Sequence, residues 1–285
     1  MYITLKLGGV PEHFNLPWRL AIEEGLFLKE NIDLQWIDHT GGTGSMIKDL
    51  KEDKLDLAIC LTEGIVADIA QGGKAKIIKT YVKSPLTWGI YVRREASYQH
   101  IQEIEGKKIG ISRFGSGSHL MAYVKAQTLG WNTKKMQFTL LRNLEGIREG
   151  LQKLEAEAFM WEKVMTQPYV DSGELRMIDE CVTPWSCFML VANQKCLDNY
   201  ANLLPKIAAI INGYVKEFKQ RPRIIETLVN RYQIDLEDTT HWLHQTIWAE
   251  DNLVSEEMIN NVQSMLYDLE LIESKKNYQH YIYAL

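Results

Sequence analysis

A glycine- and serine-rich loop in the middle of the chain, KIGISRFGSGS at residues 108–118, constrains the fold more than any other stretch. Before it, Ile109 and Ile111 alternate as in a short buried strand, and after it apolar residues recur with helical spacing up to Gly130. Glycine allows the tight turn that such a loop needs, and Ser118 is placed to cap the helix. The stretch therefore predicts a strand, a loop and a helix in direct succession.

The start of the predicted helix can bind an anion. The first backbone N–H groups of a helix have no partner within it, and the helix dipole places positive charge at the same end. Here the hydroxyls of Ser116 and Ser118 add two further donors. One dipole contact contributes only about 0.3–1 kcal/mol at an exposed site, so selectivity for a ligand must come from other residues. The alternative interpretation is an ordinary capped turn.

Strand and helix patterns alternate from the amino terminus onward. The expected strands cover residues 2–7, 32–37, 55–61 and 75–81, and the expected helices cover residues 17–24, 46–50 and 65–71. This order is typical of a mainly parallel sheet with helices on both faces, in which ligands bind at the carboxyl ends of the strands. Three turns fall at that edge: a loop at residues 8–15, a second glycine-rich loop at residues 41–45 and a turn at residues 62–64.

A second α/β unit is predicted to begin near Trp88. Its expected strands and helices cover residues 109–112, 118–129, 138–141, 144–154, 158–161 and 175–178. Residues 185–192 then form an apolar strand that returns to the first unit, and the rest of the chain is helical. We therefore expect one discontinuous lobe of residues 1–88 and 186–285, a second lobe of residues 89–185, and a hinge made of the two crossings.

Composition excludes several classes of partner. The chain has 285 residues, a net charge of −5 and no basic run, so nucleic acid is not expected as a ligand. No apolar run reaches the roughly 18–20 residues of a membrane helix, which predicts a soluble globular protein without membrane insertion. The four cysteines show no metal-ligand spacing, which is typical of buried thiols in a reducing compartment. Neither a metal ion nor another cofactor is expected.

The first residues bear on location. Residues 2–7 alternate like a strand and do not form an apolar signal segment, which predicts a cytoplasmic protein as the chain stands. The alternative is a periplasmic or cell-envelope protein from which a leader has been removed.

Four segments, in this order along the chain, resemble a known family: PWRLAIEEGLFLKENIDLQWI, GGTGSMIKDLKEDKLDLAI, GSGSHLMAYVKAQTLGW and AFMWE. They are similar to substrate-binding proteins of ABC importers in the aliphatic sulfonate, nitrate/taurine and thiamine-precursor group, the SsuA/THI5-like (NMT1/THI5-like) family. The resemblance covers roughly residues 1–220. It implies a two-lobed type II periplasmic-binding-protein fold, a small anionic or heteroaromatic ligand, an ABC permease as partner and a monomeric protein.

Candidate ligand-binding residues come from two sources. The resemblance implies that eight residues line the ligand site: Phe14, Asn15, Thr43, Thr62, Trp88, Ser116, Ser118 and Trp161. The chemistry of the residues themselves adds three more: Glu63, His119 and Trp185. One departure from the family is Lys163, because relatives tend to have a proline after the Trp-Glu pair, and this departure puts the local turn at Glu162 in question.

The three added candidates also have structural interpretations. Glu63 can meet a ligand amine, or it can simply complement the dipole of its own helix. His119 can donate to an anion, or it can lie exposed to solvent. Trp185, like Trp88 and Trp161, can stack on a flat ligand or pack between the lobes. Together the candidates predict a ligand with an anionic group and a flat or apolar body.

Two functions fit these observations. The first is a solute-binding protein whose lobes close around a ligand. The second is a leaderless cytosolic enzyme on the same fold, of the thiamine pyrimidine or menaquinone biosynthesis type, with Glu63 and His119 as general acid/base candidates. The cysteine-rich CCCFC stretch of the yeast-type thiamine pyrimidine synthases is absent, and no catalytic triad or metal motif can be assembled from the sequence. We therefore favour the binding protein.

Overall fold

The computed structural model describes residues 2–285, and the contacts within it divide the chain into two compact units. Unit 1 combines the chain up to Ser84 with Trp185–Leu285, and unit 2 is Pro85–Pro184. The expected borders lie after residue 88 and after residue 185. Trp88 belongs to unit 2 because it is part of a strand of that unit, and Trp185 belongs to unit 1, where its indole finds a hydrogen-bond partner.

The described residues form ten β-strands and eleven α-helices. The strands are β1 (Ile3–Gly9), β2 (Ile32–Asp38), β3 (Leu57–Leu61), β4 (Lys76–Val82), β5 (Thr87–Arg93), β6 (Lys108–Ile111), β7 (Gln137–Leu140), β8 (Ala158–Glu162), β9 (Leu175–Val182) and β10 (Phe188–Ala192). The helices are α1 (Leu16–Glu23), α2 (Gly42–Lys51), α3 (Thr62–Ala70), α4 (Gly117–Thr128), α5 (Leu144–Gln152), α6 (Lys163–Asp171), α7 (Gln194–Tyr200), α8 (Leu204–Phe218), α9 (Ile224–Tyr232), α10 (Leu236–Gln245) and α11 (Glu256–Asp268). Within residues 2–285, no helix combines the length and the hydropathy needed to cross a membrane.

Each unit contains one five-stranded sheet. The strand order is β2-β1-β3-β10-β4 in unit 1 and β7-β6-β8-β5-β9 in unit 2. In unit 1, β10 is antiparallel to both of its neighbours, and in unit 2 the same is true of β5, while the other four strands of each sheet run in one direction. The expectation of two α/β units of similar build, each with a mainly parallel sheet, is confirmed.

Burial explains why the central segments are strands. β3 reads LAICL and β10 reads FMLVA, and nearly every residue of the two strands is buried. Strands covered on both faces need such continuous apolar runs, whereas the edge strand β2 leaves its last two residues exposed. In unit 2 the core gathers Tyr91 on β5 and Phe159 on β8 with apolar residues of α5.

Helices α2, α3 and α4 begin earlier than the sequence pattern indicates. α2 starts at Gly42, so most of residues 41–45, expected as a glycine-rich loop, form its first turn. α3 starts directly after β3, so residues 62–64, expected as a separate turn, are its first turn. α4 is capped by Ser116 and not by Ser118. Ser116 has an extended backbone and its Oγ accepts the N–H of His119 at 3.4 Å, whereas Ser118 already has the second place in the helix, and a cap residue must lie outside it.

The sequence analysis did not predict α6. This helix begins directly after Glu162, whose Oε2 accepts the N–H of Met165 at 2.7 Å as a cap. It contains Pro168, and proline usually interrupts a helix interior, which explains why the pattern looked irregular. Lys163, the departure from the family, is the first residue of the helix, and the turn at Glu162 forms with lysine in that position.

The chain passes between the units twice, and the first and last residues of unit 2 are both prolines. In unit 1, the N–H of Cys187 donates to the carbonyl of Ser84 at 3.2 Å. In unit 2, the N–H of Leu86 donates to Oγ1 of Thr183 at 2.9 Å, and the N–H of Thr183 donates to the carbonyl of Leu86 at 3.0 Å. The two crossing segments are therefore paired within each unit, with a proline of fixed φ in each crossing.

β4 lies at an edge of the unit 1 sheet, and two segments from the carboxyl-terminal part of the chain cover that edge. The N–H of Ile77 donates to the carbonyl of Tyr281 at 2.8 Å, and the carbonyl of Ile77 accepts the N–H of Tyr283 at 3.0 Å. Further along the strand, the N–H of Ala249 donates to the carbonyl of Tyr81 at 2.9 Å. Since Tyr281 is also completely buried, the end of the chain is an integral part of unit 1.

Candidate functional site

The carboxyl edge of the unit 1 sheet brings six of the candidate residues to one side of the unit. They are Phe14 and Asn15 after β1, Thr43 after β2, Thr62 and Glu63 after β3, and Trp185 before the antiparallel β10. All six are buried. The parallel arrangement predicted from the strand order is therefore what places them there.

The two threonine hydroxyls hold this edge together. Oγ1 of Thr43 accepts the N–H of Leu61 at 2.9 Å, and the Thr62 hydroxyl donates to the carbonyl of Ser186 at 2.5 Å. The N–H of Thr62 also donates to the carbonyl of Cys187 at 3.1 Å. Both hydroxyls are thus engaged within unit 1, and Thr62 fastens the crossing segment before β10 to the first turn of α3.

Glu63 is the second residue of α3 and is completely buried. Its Oε2 accepts the indole N–H of Trp185 at 2.9 Å, while Oε1 has no hydrogen-bond partner in the part of the chain that the structure describes. Burial raises the pKa of Glu63 to about 7, and its own backbone N–H and Trp185 act in the opposite direction. A carboxylate that only complemented the helix dipole would gain nothing from such complete burial.

Phe14 and Asn15 are tied into the interior of unit 1. The ring of Phe14 packs on Phe188 and Trp242, with centroid distances of 5.2 and 5.0 Å. The side-chain amide of Asn15 donates to the carbonyl of Val10 at 2.8 Å, and its Oδ1 is buried with no hydrogen-bond partner among residues 2–285. The structure therefore places Phe14 in an aromatic cluster and leaves Asn15 with one unused acceptor.

In unit 2, a cluster of three serine hydroxyls lies between β6 and α4. Oγ of Ser118 lies 3.0 Å from Oγ of Ser116 and 3.5 Å from Oγ of Ser112, and it accepts the N–H of Ser112 at 3.2 Å. Ser116 and Ser118 are buried, and both belong to the amino-terminal end of α4. The predicted pair of serines thus lies at a helix start, together with Ser112, which the sequence analysis did not select.

His119 holds the glycine/serine loop in place. It is 4% exposed, so the interpretation as a solvent-exposed residue is wrong. Its Nδ1 accepts the N–H of Gly115 at 3.0 Å, and the rings of Tyr123 and Phe138 pack edge-on against it at 4.9 and 4.6 Å. Burial lowers the pKa of His119 to about 4, so at neutral pH the ring is neutral and carries its proton on Nε2.

Phe114 is a candidate that the sequence analysis missed. It lies on the same loop with 65% of its surface exposed, and its ring centroid is 5.4 Å from that of His119. An exposed aromatic ring beside a cluster of hydroxyls can cover the apolar part of a ligand. The signal in the sequence was a single aromatic residue within a run of glycine and serine.

Trp88 and Trp161 lie on neighbouring strands but on opposite faces of the unit 2 sheet. Trp88 pairs with Glu162, and Trp161 pairs with Gly89. Paired residues share a face and successive residues alternate, so the two indoles point to opposite sides. Trp161 packs on the apolar core that contains Tyr91, whereas Trp88 is buried and its Nε1 has no partner in the described chain. A ligand on one face of this sheet can stack on only one of them.

Within residues 2–285, no three His, Cys, Asp or Glu side chains lie close enough together to hold a metal ion. The four cysteines are buried, and none of them forms a disulfide bond within residues 2–285. Burial raises the pKa of Cys181 to about 11 and that of Cys196 to about 12. These two thiols therefore stay protonated at neutral pH, which makes them poor nucleophiles and poor metal ligands.

Sequence comparison with known proteins gives one partial match. The family model described as Ca3427-like PBP matches residues 88–181, which lie entirely within unit 2. No curated protein matches the sequence.

Solved structures match over nearly the whole chain. The Candida albicans CA3427 gene product, described as defining a new family with the generic periplasmic binding protein fold, is 25% identical with a TM-score of 0.91, and the match covers 99% of this chain and 96% of that chain. The alkanesulfonate-binding protein SsuA from Xanthomonas axonopodis pv. citri, bound to MOPS, is 13% identical with a TM-score of 0.83, and the match covers 99% and 98%. PhnD1 from Prochlorococcus marinus, in complex with methylphosphonate, is 11% identical with a TM-score of 0.66, and the match covers 94% and 99%. The periplasmic-binding-protein fold implied by the resemblance to SsuA-like proteins is therefore confirmed.

Proposed function

We propose that this chain, whose fold is that of the type II periplasmic binding proteins, is a solute-binding protein of the ABC-importer kind. Its ligand is a small solute with an anionic group and a flat or apolar body. The observation that carries the proposal is the cluster of Ser112, Ser116 and Ser118 at the start of α4. The similar structures named for alkanesulfonate binding and for a methylphosphonate complex support an anionic ligand.

The serine cluster has the chemistry of an anion site. The first N–H groups of a helix lack partners inside it and lie at the positive end of its dipole, and hydroxyl protons can rotate toward a bound oxygen. His119 beside the cluster is neutral, so no fixed charge has to be desolvated when the anion binds. Phe114 on the same loop supplies an apolar surface next to these donors. The combination favours an oxyanion attached to an apolar or aromatic group.

Unit 1 offers candidate contacts of its own. One anion at a helix start supplies about 1 kcal/mol, so the serine cluster alone gives only weak binding. Glu63 and Trp185 at the carboxyl edge of the unit 1 sheet are the residues we assign to further ligand contacts.

A ligand screen tests this function. Purified protein is heated with sulfonates, nitrate, carboxylates, pyrimidines and aromatic acids, and a compound present at 100 times its dissociation constant should add about 2.7 kcal/mol to stability. The compound that stabilises most is then titrated by calorimetry into wild type and Ser118→Ala. We expect at least about a fivefold loss of affinity, equivalent to one lost hydrogen bond.

The control variants separate binding from folding. Ser116→Ala removes the cap of α4, and Ser255→Ala removes the equivalent cap of α11, where Oγ of Ser255 accepts the N–H of Met258 at 3.1 Å. Both variants should lose about 0.5–2 kcal/mol of stability, but only Ser116→Ala should weaken ligand binding. If Ser118→Ala and Ser116→Ala bind an anionic ligand as tightly as wild type, the serine cluster is only a capped turn. Consumption of a bound compound, followed by NMR, would instead favour the enzyme.

A further inference from the structure

We infer that the ligand carries a hydrogen-bond donor, an ammonium group or a ring N–H, which binds Oε1 of Glu63. This inference rests on the proposed function and deepens it, because it adds a second polar group to the anionic ligand. The combination describes an amino acid-like or amino-heteroaromatic anion, in which donor and anion are carried by one small molecule.

The geometry around Glu63 leaves one acceptor unused. Oε2 is occupied by the indole N–H of Trp185 at 2.9 Å, and Oε1 is completely buried with no partner among the described residues. A buried polar atom without a hydrogen bond has lost its contacts with water and gained nothing in return. In native proteins such an atom calls for a specific explanation, and a ligand donor supplies one.

Within residues 2–285, no cation compensates the charge of an ionised Glu63. α3 packs on α2, α11 and β3. On α2, Lys48 pairs with Glu52, Asp49 pairs with Lys54, and Lys51 pairs with Asp68, five residues further along α3 than Glu63. β3 has no charged residue. On α11 the charged residues Glu256, Glu257 and Asp268 are acidic and exposed.

The pKa of Glu63 reflects the same surroundings. Burial is the main contribution, and no charged neighbour contributes to the shift to about 7. A cationic or N–H donor of a ligand would therefore be the first partner to favour the ionised carboxyl beyond the hydrogen bonds it already accepts.

Glu63 lies against the crossing segment. Trp185 is the first residue of unit 1 after the second crossing, and its indole N–H donates to Oε2 of Glu63. Ser186 follows it with its carbonyl on the Thr62 hydroxyl. The carboxyl of Glu63 is therefore at the carboxyl edge of the unit 1 sheet, directly beside the crossing.

The affinity should depend on pH in opposite directions for ligands that donate a hydrogen bond to Oε1 and for ligands that accept one from it. A donor binds the ionised carboxylate, so a protonated Glu63 must release its proton first, and affinity falls as the pH drops below about 7. The limiting slope is tenfold for each pH unit. A ligand that presents an acceptor to Oε1 would show the reverse trend.

The experiment uses matched pairs of probes that share an anion and differ by one amine. We would titrate 4-methylbenzenesulfonate against 4-(aminomethyl)benzenesulfonate, and ethanesulfonate against 2-aminoethanesulfonate, in buffers free of sulfonate and phosphate. Wild type should bind the amine-bearing member of at least one pair about tenfold tighter at pH 8, and this advantage should shrink at pH 6.

Two variants assign the effect to Glu63. Glu63→Gln keeps the shape and the acceptor for Trp185 but places an N–H₂ where Oε1 was, so the amine-bearing probe should lose its advantage over the plain sulfonate. Trp185→Phe keeps the carboxyl and removes the N–H that favours its ionised form, so the preference should persist but move to higher pH. Thermal unfolding of each variant reports whether it folds. If Glu63→Gln does not fold, the test of the inference is whether the amine preference of Trp185→Phe moves to higher pH.

The outcomes separate the two proposals. Equal binding of both members of each pair, or an amine preference that survives in Glu63→Gln, would overturn this inference and leave the anion-binding function intact. If no member of either pair binds and the wider screen finds no anion, both proposals fail. An amine preference that is lost in Glu63→Gln and that shifts with pH in Trp185→Phe supports the assignment.

Discussion

Individual residues at the candidate site differ from ordinary surface residues chiefly in their burial. Glu63 and His119 both have ionisable side chains. Burial inside their units raises the pKa of Glu63 and lowers the pKa of His119. The sequence identified both positions, because each stands beside a predicted helix start. It could not reveal their protonation, since desolvation depends on neighbours such as Trp185 and Phe138 that are distant in sequence.

His119 makes stability depend on pH. Its pKa is about 4 in the folded chain and near the ordinary 6.5 in the unfolded chain, so protonation favours unfolding. We expect this group to cost up to about 2 kcal/mol between pH 7 and pH 5, a loss that the variant His119→Gln should not show. Urea unfolding at the two pH values measures the difference. The same change at the exposed His241 serves as control and should leave the pH dependence as in wild type.

Gly64 is needed for the close approach of α3 to α2. A Cβ at this position would lie 2.7 Å from Cγ2 of Thr43, which is itself held by its hydrogen bond to the N–H of Leu61. Gly64→Ala should therefore destabilise unit 1 by about 1–3 kcal/mol. Gly213→Ala on the exposed side of α8, where a Cβ meets nothing within 4 Å, should instead add about 0.5–1 kcal/mol. Calorimetric unfolding compares the two, and equal effects would contradict the steric explanation.

At the scale of elements, the turn between β3 and α3 links the candidate site to a crossing segment. Thr62 binds the carbonyls of Ser186 and Cys187, and Glu63 binds Trp185, so three consecutive residues are fastened to one helical turn. The sequence indicated the crossing and the helix separately. It gave no sign of the connection, because the partners are more than 120 residues apart.

Thr62→Val tests this connection. Valine keeps the shape of threonine but leaves the carbonyl of Ser186 without its donor, which should cost about 1–3 kcal/mol locally. We expect faster hydrogen exchange at the amide of Cys187, which is bonded to Ser84 in the wild type. Thr227→Val on α9 removes an exposed hydroxyl bonded to the carbonyl of Arg223 and should leave the exchange at Cys187 unchanged. If the two variants behave alike, Thr62 does not hold the crossing segment.

The segments that cover the edge of β4 lead to another prediction at the scale of elements. Deleting residues 281–285 removes both hydrogen bonds to Ile77 and the completely buried Tyr281. An uncovered edge strand offers unpaired N–H and C=O groups to other chains. The truncated protein should unfold at lower temperature and self-associate, which light scattering detects. Deletion of the exposed Leu285 alone is the control and should have no such effect.

At the scale of the whole molecule, the order of most strands and helices was predictable because several strands are short apolar runs between clear turn signals, whereas β5 was not predicted as a strand. β3 and β10 illustrate this, since both lie inside a sheet and neither contains a charged residue. The cap of α4 was misplaced by two residues, because Ser116 and Ser118 can each supply the hydroxyl, and the extended backbone that makes Ser116 the cap cannot be read from the sequence. α6 escaped prediction because Pro168 interrupts its pattern.

The position of β10 in the sheet affects how the protein folds during its synthesis on the ribosome. β10 lies between β3 and β4, yet it is synthesised only after the whole of unit 2. Unit 2 is one uninterrupted stretch of the chain, so it can fold as it leaves the ribosome. The first four strands of unit 1 cannot complete their sheet until β10 has been synthesised and inserts between β3 and β4. During that interval the nascent chain presents the unpaired edges of β3 and β4, and any delay in translating unit 2 prolongs the time in which a chaperone has to shield them.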